Sequence, residues 1–170
     1  MAIRKFRLFL ASGLEKEEQW LTAMSAKGLH MKKYKLGFYT FEEDKNKAFV
    51  YQIDFQRLAT DDYIQLYEDA GWNYVDHSIG LFHYFRTDAS NEAVPKIYSD
   101  YESVMETYKG MIRFYLIMFA FLLLSQVGAL VTWKGYALQI FTTAFAGVVV
   151  VLYIYMLIAL KRKINFYKRN

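Results

Sequence analysis

The sequence predicts an α+β domain followed by two membrane-crossing helices, and three observations carry that prediction. Apolar residues alternate with polar ones at period two around residues 3–10, 29–41 and 49–55, as in half-buried strands. Two segments between and after them are punctuated as helices by a hydroxyl or acidic start and a glycine stop. Residues 114–133 and 136–160 carry no charge, and each is long enough to cross a hydrocarbon core, where the backbone must satisfy its own polar groups.

Phe6, Leu8 and Leu10 alternate with Lys5, Arg7 and Phe9, so the first strand is expected to bury Phe6, Leu8 and Leu10. Ser12 with Glu15 three residues on has the form of a capping box and predicts a helix start there. Leu14, Trp20, Leu21 and Met24 keep one face of that helix apolar, and Gly28 supplies its left-handed stop. Tyr34, Leu36 and Phe38 then alternate along residues 29–41, and the polar run 42–46 separates them from Phe49, Tyr51, Ile53 and Phe55, which predicts a β-hairpin between the two runs. Thr60 caps a short helix whose early Asp61 and Asp62 suit the positive end of the helix dipole, and Gly71 stops it. Residues 72–75 and 81–86 close the domain as one bulged strand or a small hairpin. The order β-α-β-β-α-β predicts an antiparallel sheet with both helices on one face, a ferredoxin-like arrangement. No internal repeat is evident. Residues 1–95 have room for one such domain, and 96–113, opened by Pro95, read as a polar helical connector.

Charge is distributed by region. The chain has net charge +4 and pI ≈ 9.1, but residues 1–95 carry 12 basic against 14 acidic side chains. The excess lies in Lys134 and in the tail, residues 161–170, where Lys161, Arg162, Lys163, Lys168 and Arg169 cluster without an acid. Basic residues near spanning helices stay on the cytoplasmic side, so both termini are expected in the cytoplasm with a short turn around Lys134 and Gly135 outside. The expected place is therefore the cytoplasmic membrane, crossed twice. No secretory signal is expected from residues 1–10, whose apolar run is fragmentary and followed by acids. The chain has no cysteine, which removes disulfide and thiolate chemistry.

Catalytic chemistry finds little support. His30, His77 and His83 lack the spacing that sets two imidazoles on one helical face, so a metal site completed by Asp54 or Asp76 is not expected, and no cofactor is. Asp61 and Asp62 are explained by a helix start, and Glu17 and Glu18 by an amphipathic helix in which one of them should be solvated. No serine stands in a nucleophile elbow, and no glycine-rich phosphate loop is present. The domain is too acidic for an RNA platform, so direct nucleic-acid binding is not expected despite 19% aromatic residues. Neither span holds an acid, base or histidine, which argues for an anchor and against an ion or substrate pathway. Helices on one side of the sheet would leave Phe9, Tyr39, Gln52, Asp54 and His83 on the open side, a mixed surface suited to a protein partner or a homodimer.

Three fragments carry a resemblance: Glu17-Glu18-Gln19-Trp20-Leu21 with Lys27-Gly28, then Tyr51-Gln52-Ile53-Asp54, and Tyr67-Glu68-Asp69-Ala70-Gly71-Trp72 followed by Tyr84-Phe85-Arg86. In order and spacing they resemble the bacterial domain-of-unknown-function family numbered 2812. The resemblance implies a cytoplasmic domain with C-terminal membrane helices, no established catalytic residue, and a genomic neighbourhood of PadR-type transcriptional regulators. The expected function is a non-enzymatic, membrane-anchored interaction module of regulatory type, binding such a regulator or a transporter subunit. A small-molecule sensor at a homodimer interface is the alternative, and an enzyme comes third.

Overall fold

In the computed structural model, which describes residues 2–91, 97 and 101–169, the chain divides into two units, 1–99 and 100–170. The first holds β1 (Ile3–Phe6), α1 (Leu14–Ser25), β2 (Leu29–Lys35), β3 (Phe38–Glu43), β4 (Phe49–Phe55), α2 (Asp61–Asp69), β5 (Asn73–Ser78) and β6 (Phe82–Asp88). The second holds α3 (Tyr101–Val131) and α4 (Ala137–Arg169).

The α+β class is as expected, but the strands form two three-stranded antiparallel sheets, ordered β1-β3-β2 and β4-β6-β5, in place of one ferredoxin-like sheet. The cause lies at Leu36-Gly37. These two residues have φ of 49° and 83°, the left-handed conformation of a tight hairpin turn, so residues 29–43 fold back on themselves. The expected strand over 29–41 is thus two strands, and Phe49–Phe55 pairs with β6 instead of with it.

The two sheets are copies of one β-α-β-β plan, so an internal repeat is present after all. Register makes this explicit. Phe6 pairs with Phe38 as Phe55 pairs with Phe82, and Tyr34 with Tyr39 as His77 with His83. The second strand of each unit carries a bulge at the same place, between Met31 and Lys33 and between Tyr74 and Asp76. Ile79-Gly80, with φ of 48° and 68°, repeats Leu36-Gly37, and Gly71 repeats Gly28 as the left-handed residue after the helix. Aromatic contacts repeat too: Trp20 meets Tyr39 and Phe41 at 4.8 and 5.8 Å, and Tyr63 meets His83 and Phe85 at 5.6 and 6.1 Å.

Local signals fared unevenly. Thr60 caps α2 by accepting from the Tyr63 N–H at 3.2 Å. Ser12 does not cap α1. It lies in a 3-10 turn, Ala11–Gly13, whose own Leu10 carbonyl takes the Gly13 N–H, and the helix starts uncapped by a side chain with Leu14 buried. Residues 72–86 resolve as the β5–β6 hairpin.

α3 and α4 are each long and apolar enough to cross a membrane, and they pack antiparallel. Tyr153 lies against Tyr115 and Phe119, and Tyr167 stacks on Tyr108 at 6.2 Å. Pro95 and Lys96, where the connector was expected to begin, lie outside the described residues, as do residues 98–100; α3 takes up 101–113 of the connector, and α4 runs through the basic tail. The turn is closed by Gln139, whose amide accepts from the Lys134 N–H at 2.9 Å and donates to the Thr132 carbonyl at 3.0 Å. One of the two glutamines of the apolar segments thus satisfies backbone groups that a helix end leaves bare.

Candidate functional site

The residues expected to share one open face do not share it. Phe9 packs on Trp20 at 5.7 Å, and Tyr39 is buried beneath α1. Gln52, Asp54 and His83 belong to the other sheet, on the side that α2 covers. There Asp54 accepts from the hydroxyls of Tyr63 at 2.6 Å and Tyr67 at 3.1 Å, and Gln52 accepts from the Ile97 N–H at 2.6 Å. His83 is buried with Nε2 3.2 Å from the Gln56 carbonyl, and burial lowers its pKa below the usual 6.5, favouring the neutral ring.

Glu17 is the buried carboxylate that the helical pattern did not single out. It accepts from Tyr39 at 2.6 Å and Tyr84 at 2.7 Å, tying α1 to β3 of its own repeat and to β6 of the other. Burial raises its pKa above 4.5, against the two hydroxyls that favour the ionised form; the same burial and the facing carboxylate raise both tyrosines. Glu18, its neighbour, accepts from the Ile53 N–H at 2.8 Å. Both acids are thereby structural pins between the repeats.

His30 stands apart from the other two histidines, in a relay where the Phe49 N–H donates to Ser25 Oγ, the Ser25 hydroxyl lies 2.8 Å from Nδ1, and Nε2 lies 2.6 Å from the Asp44 carbonyl; this is satisfied with Nε2 protonated. The His77 and His83 rings lie 6.0 Å apart, tilted by 37°, with His77 Nδ1 4.0 Å from Asp76. No three histidine or acidic side chains are grouped as metal ligands among the described residues.

What lies open is the opposite side of the first sheet. Phe6 is 59% exposed, Phe38 42%, and Leu8 and Leu36 71% each. These are contiguous: Phe6 and Phe38 rings lie 4.9 Å apart, and the Arg4 guanidinium stands 5.1 Å over Phe38. Gly37 makes the patch. A Cβ there would come within 2.7 Å of a Leu8 methyl and 2.9 Å of the Phe6 ring, so only glycine lets both lie on the hairpin, where the Arg7 N–H bonds the Gly37 carbonyl at 2.9 Å. The period-two alternation of residues 5–10 was therefore real but its sides were exchanged: Phe6, Leu8 and Leu10 face out, and Phe9 faces the helix. An apolar stripe in an edge strand does not say which side the helix will take. The cation on the helix side, Arg7, is accommodated with its guanidinium over both Phe9 and Trp20.

In the second repeat the same side is closed. Ile53, which takes the register position of Arg4, is 0% exposed, and Tyr84, in the place of Thr40, is 2% exposed. The sequence profile of a family described as "Protein of unknown function (DUF2812)" matches residues 13–120, which span α1 to α3. The chain belongs to the DUF2812 family. Neither a curated protein nor a solved structure matches it. For DUF2812, the matched segment takes in most of both repeats and reaches the first apolar helix, so the duplicated β-α-β-β plan lies largely within what the profile recognises.

Proposed function

We propose that this DUF2812 protein is a membrane-anchored cytoplasmic interaction module of regulatory type, which holds a protein partner on the open side of its first sheet. The observation that carries this reading is the contiguous patch of Phe6, Leu8, Leu36 and Phe38, far more exposed apolar surface than an isolated residue would present, and built deliberately around Gly37. The anchor is the α3–α4 hairpin, inserted with both ends in the cytoplasm because Lys161, Arg162, Lys163, Lys168 and Arg169 oppose a turn with Lys134 alone. Partners of the classes implied by the family resemblance, a PadR-type regulator or a transporter subunit, would meet an aromatic surface bearing Arg4, the kind enriched at the centre of protein interfaces. Buried Glu17 and Asp54 support a binding role over a catalytic one, since tyrosine hydroxyls already occupy both.

Affinity purification of the full chain from solubilised membranes tests it. A partner recovered with the wild type and lost with Phe38→Asp is the expected result. Recovery of the wild-type chain with nothing specific bound, under several solubilisation conditions, contradicts it.

A further inference from the structure

The internal repeat supplies a template for what covers the open face. Within the chain, α1 lays three side chains along the outer edge of β4: Glu18, Thr22 and Ser25 accept from the N–H groups of Ile53, Tyr51 and Phe49 at 2.8, 3.0 and 2.7 Å. That contact closes the edge of the second sheet. By the repeat, β1 stands where β4 stands, and its edge, with Arg4 at the position of Ile53, lacks such a helix among the described residues. By the same repeat α2 stands where α1 stands. Its positions matching Glu18, Thr22 and Ser25 are Asp61, Gln65 and Glu68, counted back from Gly71 as the first three are from Gly28. All three are exposed and carry a side-chain oxygen able to accept; by register Asp61 would meet the N–H of Arg4 and Gln65 that of Ala2, while Glu68 faces no counterpart of Phe49 in β1.

We propose that α2 of a second copy of this chain docks on the β1 edge and open face of the first sheet, as α1 docks on β4 within the chain. Charge supports that occupant. α2 carries Asp61, Asp62, Glu68 and Asp69 and no base, while the open side of the first sheet presents Arg4, Lys33 and Lys35 by their pairing with Thr40 and Phe38, and the one acid that alternates onto that side of β3, Glu42, is paired with Lys32 at 3.2 Å. Two copies each offer one acidic helix and one basic, apolar face, so a pair closes with two such contacts and leaves neither face bare. The proposal rests on the reading of this face as an interaction surface and names a second copy, in place of a regulator or transporter subunit, as what covers it.

The test uses the full chain in its membrane with a photo-crosslinking phenylalanine analogue replacing Phe38, co-expressed in two differently tagged forms. The expected result is a crosslinked species of twice the chain mass whose joined peptide lies within Asp61–Asp69. Arg4→Glu should lower co-recovery of the two tags about tenfold, and adding Asp61→Arg in the same chain should restore it. Arg4 and Asp61 are both exposed, so these variants keep the fold. A crosslink to a different protein, or to another part of this chain, overturns the proposal while leaving the face an interaction surface. Absence of any crosslink, with co-recovery unchanged by Arg4→Glu, overturns the proposal and the reading of the face together.

Discussion

The two β-α-β-β repeats share strand order, register, bulge and turn conformation, yet they use the same sheet side differently. In the second repeat, the side bearing Ile53, Phe82 and Tyr84 is buried and pinned through Glu17; in the first, the matching Arg4, Phe38 and Thr40 look outward, with Phe38 42% exposed. Backbone plan and burial are thus separable. The difference teaches that a duplicated unit can devote one copy to the core and keep the other copy's equivalent surface for a partner, with the side chains, not the topology, recording which is which.

Matched positions should therefore respond unequally. Ile53→Asp places an unpaired charge in the core and is expected to cost more than about 4 kcal/mol, enough to abolish folding, whereas Arg4→Asp at the same register position should stay within about 0.5 kcal/mol in denaturant titration. Equal losses at both sites would break the comparison.

Glu17→Ala leaves two buried tyrosine hydroxyls without their acceptor and should cost about 3 kcal/mol. Thr60, at the corresponding point of α2, only caps its helix, so Thr60→Ala should cost about 1 kcal/mol by the same titration.

The left-handed turn residues sharpen the likeness. Ile79 and Leu36 hold φ near 48°, a strained value for a branched side chain, so Ile79→Gly should raise stability by about 1 kcal/mol and Leu36→Gly by about half that, read as thermal midpoints. Destabilisation at both would show that these turns are held by side-chain contacts.

Titration separates the repeats again. Glu17, with its native pKa raised above 4.5, contributes stability that is present below the unfolded value and lost as pH rises through the native one. Glu17→Gln should therefore gain on the wild type as pH increases. His83 runs the other way: its pKa is lowered from 6.5, so its contribution is intact above that value and lost as pH falls. His83→Phe should flatten the acid side of the stability profile measured by chemical denaturation at successive pH values.

Much of this was legible in the sequence. Gly28 and Gly71 mark helix ends, Thr60 marks a helix start, and the uncharged length of residues 114–133 and 136–160 matches the cores of α3 and α4. The hairpin at Leu36-Gly37 was hidden because Tyr34, Leu36 and Phe38 keep a perfect alternation through the turn, and an apolar residue at positive φ gives no turn signal. The neighbouring polar run, residues 42–46, looked more like a turn than the turn did. The repeat was hidden because few identities survive, among them Phe6 with Phe55 and Phe41 with Phe85, and because the second hairpin loop, Ile79 to Leu81, is one residue longer and breaks a constant offset. Gly28 followed by Leu36-Gly37, and Gly71 followed by Ile79-Gly80 at equal spacing, was the trace left in the sequence. Burial of Glu17 left none, since charged residues surround it along the helix and its partners come from β3 and β6, far away in the chain.

The reading as a tethered cytoplasmic module stands or falls on sidedness, and the absence of native cysteine allows it to be measured directly. Single cysteines replacing Asn46, in the loop between β3 and β4, and Lys134, in the turn between α3 and α4, are treated in intact cells with a membrane-impermeant maleimide. Labelling at position 134 with protection at 46 until lysis is the predicted result. Labelling at position 46 before lysis would put the domain and its open face outside, and would contradict a cytoplasmic partner of any kind.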